Sequence, residues 1–237
     1  MTIQSSKYPN VFLAAQYRSG STHMAMVICR LLGHKWMSTS MSGNGDEEQN
    51  VNACECGTLM RGGKGFVFQQ HCKGTSMNSQ ILSAYGCEPV VVTRNIYDCL
   101  LSVKENLDKT PVCPGIFIPK DYLSWGEERK WLWVAYNVAP WIAAFATSWE
   151  ETTLPHMTIS YEDYFSDQVK YMGKILAHHG INDIPNQAIR EAASKKDGRL
   201  AVGKVGRGKE LLPSPIMKIV TNILAQYPRQ VTQRLTR

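Results

Sequence analysis

The run 89-PVVVTRN-95 most limits how this chain can fold. Three consecutive valines carry no polar alternation, so a strand built on them must be covered on both faces. That is the pattern of a central strand in a parallel sheet, whose neighbours arrive through crossovers long enough to hold a helix. The rest of the sequence supplies such neighbours. Residues 10–16, 65-GFVFQQH-71 and 156-HMTISYED-163 read as further strands, each apolar and each ending in polar side chains. Helical spacing separates them at 21–32, stopped by Gly33, at 77–86 and at 97–107. The segment 122–149 is helical and rich in tryptophan, with Pro140 expected to kink or divide it. An amphipathic helix over 164–179 stops at Gly180, and two short helices, 185–196 and 213–226, flank the basic glycine-rich stretch 198-GRLAVGKVGRGKE-210. The tail reads as polar. Strands alternating with helices predict an α/β fold, three layers with a central parallel sheet.

A chain of 237 residues with 43% hydrophobic and 19% charged residues has the composition of one globular domain, here spanning 1–237 with no internal repeat or linker. The net charge of +6 suits an anionic ligand, but the basic residues are not clustered as nucleic-acid binding would require. The start, MTIQSSKYPN, has no apolar targeting core, and no window is long and apolar enough for a membrane span. A soluble, cytoplasmic protein with neither nucleic acid nor membrane as partner is expected. Seven scattered cysteines are then expected to stay reduced. Cys54 and Cys56, with His71 and Cys72, fail the ligand spacing of a zinc site, so no metal is expected. Residues 34–64, rich in Ser, Gly, Asn and Met around the acidic triplet 46-DEE-48, read as a long loop or lid with room for a short strand.

In open parallel sheets ligands gather at the carboxyl ends of the strands. That rule brings together 16-QYRSGST-22, Gln70 with His71, 93-TRN-95 and 160-SYED-163. In the first stretch Gly20 permits a sharp turn, and the amides opening the next helix face it with the positive end of the helix dipole behind them. Arg18 adds a planar cation, and Ser19, Ser21 and Thr22 add hydroxyls. Such a set cradles a phosphate or sulfate; it reads equally as an N-capping serine beside a surface arginine. The Walker pattern G-x-x-x-x-G-K-[ST] is absent, which disfavours ATP hydrolysis. In 94-RNIYDCLLS-102 an arginine ending a buried strand and a serine two helical turns on suit a second phosphate; the competing reading pairs Arg94 with Asp98. His71, at the end of its strand, suits a general base.

These residues, taken in order, resemble the PAPS-dependent sulfotransferases, which use 3′-phosphoadenosine 5′-phosphosulfate (PAPS) as donor and release 3′-phosphoadenosine 5′-phosphate (PAP). The family's first loop, P-[KR]-S-G-[ST]-T, is matched by 17-YRSGST-22; its second signature, R-N-P-x-D-x-x-x-S, by 94-RNIYDCLLS-102; its catalytic histidine by His71; its Y-E-D by 161-YED-163; and its late loop, R-K-G-x-x-G-x-W-K, is echoed by 203-GKVGRGK-209. The resemblance implies a P-loop NTPase-like sulfotransferase fold and transfer of a sulfuryl group to a hydroxyl or amine of a small-molecule acceptor. It implies that His71 is the base and that Arg18 holds the sulfuryl group and offsets charge on the leaving oxygen. Ser19, Gly20, Ser21 and Thr22 would bind the 5′-phosphosulfate, Arg94 and Ser102 the 3′-phosphate, and Tyr161 and His23 the adenine. Gly203, Gly206 and their neighbours would close over the 3′-phosphate, with charge from Lys204, Arg207 or Lys209. The segment 34–64, with Asp46, Glu47, Glu48 and Glu55, and the aromatic helix would flank the acceptor. Departures are Tyr17 for the family's proline, His23 for tryptophan, Gln69 for lysine, Ala201 and Val202 for a basic pair, and Gly208 for tryptophan. The competing classes are a P-loop-type kinase of small molecules and a non-catalytic nucleotide- or polyanion-binding module.

Overall fold

A computed structural model describes residues 6–39, 48–195 and 204–237. Its centre is a five-stranded sheet of β1 (Val11–Ala15), β2 (Lys35–Met37), β3 (Phe66–Gln70), β4 (Val90–Thr93) and β5 (Met157–Ser160). The order is β2-β3-β1-β4-β5 and every pair is parallel, with Val11 beside Val67, Leu13 beside Val90 and Val92 beside Ile159. Strand order reverses at β1, which places the mouth of the sheet between β3, β1 and β4.

All of β1 is buried because alternate side chains enter two different cores. Val11, Leu13 and Ala15 pack with Met24, Val27 and Ile28 of α1 (Ser21–Leu32) and with Met172 and Ile175 of α7 (Gln168–His178). Phe12 and Ala14 face the other core, with Leu100 of α4 (Ile96–Leu107), Ile142 and Phe145 of α5 (Glu127–Glu151), and Val220 of α10 (Ser214–Leu224). Helices on both faces make the three-layer α/β/α architecture that strand–helix alternation predicts.

Several local readings are corrected. The 34–64 segment holds the short strand allowed for, β2, but also a helix, α2 (Ala53–Arg61), where a loop is expected, while residues 40–47, including Asp46 and Glu47, lie outside the described residues. The side chain of Asn52 caps α2 by accepting from the amides of Cys54 and Glu55. Pro140 does not divide α5, which runs unbroken from Glu127 to Glu151. The carbonyl that Pro140 leaves without an intrahelical donor belongs to Tyr136, whose side chain is exposed. Strand β5 stops at Ser160 rather than continuing through 161-YED-163, because the Ser160 hydroxyl accepts from the Asp163 amide at 2.9 Å and starts α6 (Tyr161–Ser166). The expected 164–179 helix is split at Asp167, whose side chain caps α7 by accepting from Lys170 N at 3.0 Å. Helix α3 (Ser76–Ala84) and α8 (Asn186–Ser194) lie where spacing predicts them. The late glycine-rich stretch ends in a short helix, α9 (Arg207–Leu211), and the polar tail forms α11 (Arg229–Thr236), buried through Val231 and Leu235.

All seven cysteines are free thiols; Cys54 is exposed, Cys29 half-buried and the others buried. No helix among the described residues is long and apolar enough to cross a membrane, and those residues hold no cluster of three or more potential metal ligands.

Candidate active site

The carboxyl ends of β1, β3 and β4 meet as predicted, and one residue the sequence reading passed over fastens two of them. Gln16, fully buried, donates through Nε2 to the Arg94 carbonyl at 3.0 Å and accepts from the Arg94 amide at 3.1 Å. The turn after β1 therefore sits in fixed register with the turn after β4.

That first turn is built from left-handed residues. Gly20 has φ 75 and Arg18 has φ 54, unusual for a residue with a side chain. A Cβ on Gly20 would stand 2.8 Å from the Tyr161 ring, so the glycine serves both the turn and a close approach. No side chain caps α1, so the amides of its first turn converge on the turn undiverted by a capping group. Ser19 is buried with its hydroxyl on Gln16 O at 2.7 Å, and Ser21 accepts from Gln69 Nε2 at 3.3 Å. Gln69, at the family's lysine position, thus reaches the turn without charge. Tyr17 replaces the family's proline, and packing fixes it instead: its buried ring stacks on Trp141 at 3.8 Å, its hydroxyl donates to Pro114 O, and its carbonyl accepts from the Cys99 thiol at 2.7 Å.

Arg94 lies directly behind this turn. Its Nη1 donates to Arg18 O at 2.8 Å, its Nη2 to Lys204 O at 3.4 Å, and its guanidinium lies 4.1 Å from the Tyr161 ring centre. It is 9% exposed, and its Nε has no partner in the described structure. Arg18 donates through Nε to Ser102 Oγ at 3.0 Å, so the two predicted anion sites share one wall. Burial, and secondarily the charge of Arg94, holds the Arg18 guanidinium below its ordinary pKa. The pairing of Arg94 with Asp98 also occurs, at 3.9 Å. Asn95 caps α4, and its own amide donates to the Glu162 carboxylate at 2.9 Å; burial raises the Glu162 pKa.

His71 closes the site from β3. Its Nδ1 lies 2.8 Å from Ala15 O; a carbonyl only accepts, so Nδ1 carries the proton and Nε2 keeps its lone pair while the ring is neutral. Burial lowers its pKa, the Ala15 bond opposes that, and the charge of Arg18 adds to the lowering. Its ring lies 5.0 Å from Tyr17, and its amide donates to Gln49 Oε1 at 2.7 Å. The last part of the acidic loop is therefore pinned beside His71. There Trp141 Nε1 donates to both oxygens of Glu48 at 3.0 and 3.2 Å, and Lys73 pairs with the same carboxylate. Of the α5 aromatics, Trp131 and Trp149 are core, and Trp141 reaches this wall.

The remaining candidates are placed less directly. Tyr161 and His23 are 4% and 5% exposed; Tyr161 packs on Phe165 at 4.3 Å and His23 on Phe165 at 5.7 Å, so neither presents an open stacking face. Thr22 lies in the first turn of α1. Gly206 has φ 89 and opens α9, Arg207 pairs with Glu105 at 2.5 Å, and Lys204 and Lys209 are exposed. Gly203, Ala201 and Val202 lie outside the described residues. Gly208 stands where the family has tryptophan because a Cβ there would collide with the main chain of Tyr97 and Asp98.

Neither a family model nor a curated protein matches the sequence. Solved structures do match its fold. A mouse sulfotransferase, SULT7A1, complexed with PAP is 18% identical, with TM-score 0.69 over 98% of this chain and 89% of that one. A retinol dehydratase in complex with androsterone and inactive cofactor PAP is 15% identical, with TM-score 0.61 over 92% of this chain and 80% of that one. A sulfotransferase from Alicyclobacillus acidocaldarius is 15% identical, with TM-score 0.53 over 97% of this chain and 96% of that one. With its parallel five-stranded sheet and helices on both faces, the chain has the sulfotransferase fold.

Proposed function

We propose that this protein is a PAPS-dependent sulfotransferase that transfers a sulfuryl group to a hydroxyl or amine of a small-molecule acceptor. One observation carries the reading: Arg18 and Arg94 stand in a shared wall, with Arg94 bonded to the Arg18 carbonyl and its buried Nε still unpartnered. Two neighbouring cations with an open buried donor fit a ligand with two anionic ends better than a single phosphate. The likeness of the chain's fold to two structures solved with PAP supports the same reading.

PAPS supplies an activated sulfuryl group whose bond to the phosphate oxygen breaks as the acceptor attacks sulfur. The chain's own residues do the rest. The α1 amides, with Ser19, Gly20, Ser21 and Thr22, bind the 5′-phosphosulfate. Arg18 offsets charge growing on the sulfuryl and leaving oxygens; preorganised donors of this kind contribute about 3–4 kcal/mol each. Arg94 and Ser102 bind the 3′-phosphate. His71 takes the acceptor's proton at Nε2, because Nδ1 is committed to Ala15 O. The wall of Tyr17, Trp141, Glu48 and Lys73 borders the acceptor side of His71.

Thermal shift with PAP, ADP and ATP tests the nucleotide. Selective stabilisation by PAP is expected; preference for ATP would overturn the reading in favour of a kinase. Incubating the protein and PAPS with an acceptor panel, followed by mass spectrometry, should reveal products one sulfuryl group heavier; PAP binding with no product from any acceptor would favour a binding module.

A further inference from the structure

Asp98 sits in the first turn of α4 with its side chain fully covered, next to a site read as binding phosphate. A carboxylate there would repel a bound anion, so its place calls for another explanation. Its partners supply one. Oδ2 accepts from the Gly206 amide at 2.7 Å and Oδ1 from the Gly208 amide at 2.5 Å, while Arg94 Nη2 lies 3.9 Å from Oδ2. Each carboxylate oxygen thus holds one main-chain donor of the 204–211 segment, and the remaining charge faces Arg94.

The two glycines make this grip possible. Gly206 turns the chain with φ 89, and Gly208 lies so close to the Tyr97 and Asp98 main chain that no side chain fits. The segment is fastened at two further points, Arg207 to Glu105 at 2.5 Å and Lys204 O to Arg94 Nη2 at 3.4 Å. Among the described residues, only Asp98 touches both the segment and Arg94 through one charged group.

We infer that Asp98 is a positioning residue: it seats segment 204–211 against Arg94 and thereby sets how strongly the site distinguishes a nucleotide bearing a 3′-phosphate. The second half of this inference rests on the sulfotransferase reading; the seating itself does not. The carboxylate excludes itself from contact with the phosphate and acts through the two groups that it holds.

The test uses Asp98→Asn, which is nearly isosteric, and independently Gly208→Ala, which disturbs the other side of the same contact, each in the full chain. Without ligand, hydrogen exchange across 204–211 is expected to quicken in both variants. Calorimetry is expected to show PAP binding weakened by about tenfold or more, the scale of a hydrogen bond to a charged group. Affinity for adenosine 5′-monophosphate, which differs from PAP only in lacking the 3′-phosphate, should stay unchanged, and kcat at saturating donor should stay near wild type while KM for PAPS rises. Unchanged exchange across the segment in both variants overturns the seating. Equal weakening of the two nucleotides, or of neither, overturns the positioning role. A wild-type protein that binds both nucleotides equally sinks the sulfotransferase reading instead, and the exchange result still decides whether Asp98 holds the segment.

Discussion

Arg94 donates Nη1 to the main-chain oxygen of Arg18 at 2.8 Å, so one arginine braces the backbone from which the other projects. The two cations are therefore mechanically linked as well as close. Because Gln16 also holds the Arg94 main chain at both its amide and its carbonyl, the link spans β1 and β4.

Replacing Arg94 should hurt twice. Arg94→Ala removes a phosphate donor and the brace on Arg18, and is expected to weaken PAP binding by about 1.5–3 kcal/mol or more. Arg94→Lys keeps the charge but not the fork, and should recover only part of the loss. Isothermal titration with PAP and with adenosine 5′-monophosphate measures both; equal losses for the two ligands would remove Arg94 from the 3′-phosphate.

His71→Ala should lower kcat by about 10²–10⁴ while leaving PAP affinity nearly intact, as loss of a general base does. The pH profile gives an independent reading. Burial and Arg18 place the His71 pKa below the ordinary imidazole value of 6.5, so the ring is neutral at pH 7 and turnover should be level there. Turnover should fall only as pH drops below that value and the ring gains a proton. A profile whose acid limb lies above it would assign the base elsewhere.

Gly20→Ala forces a side chain into a left-handed turn and against the Tyr161 ring. A destabilisation of about 1–2 kcal/mol is expected from the backbone alone. Urea unfolding checks it; a variant as stable as wild type, with PAP affinity intact, would mean that the turn relaxes freely.

His179, at the end of α7, has its pKa lowered to about 4 by burial and by neighbouring His178. The unfolded chain takes up this proton near 6.5 and the folded chain does not, so stability should decline as pH falls from 6.5 towards 4. His179→Gln should flatten part of that decline in a series of melting temperatures. An unchanged slope would assign the acid sensitivity to other groups.

Most of the sheet and the sharp turn after β1 were legible because they rest on local chemistry. The valines of β4 demand cover on both faces, and helix α1 begins and ends where Gly20 and Gly33 leave it no choice. What escaped depended on contacts distant in sequence. Gln16 looks like an ordinary polar residue until Arg94 arrives from 78 positions away. Helix α2 offers the core only the short face of Cys56, Leu59 and Met60, and it is also held by the Asn52 cap and by Tyr85, which reaches across to the Ala53 carbonyl at 2.9 Å. Pro140 suggests a kink or a division, and the sequence alone does not tell that it falls opposite Tyr136, whose side chain is exposed. Gly208 looked like the loss of a family tryptophan, whereas its neighbours leave no space for any side chain.

The uneven exposure of the thiols has a practical use. Cys54, on α2 at the far side of the acidic segment, is the exposed one, while Cys72, Cys99 and Cys113 are shielded around the candidate site. A maleimide dye added briefly to the native protein should settle on Cys54 first, giving a label on helix α2 without any engineered mutation.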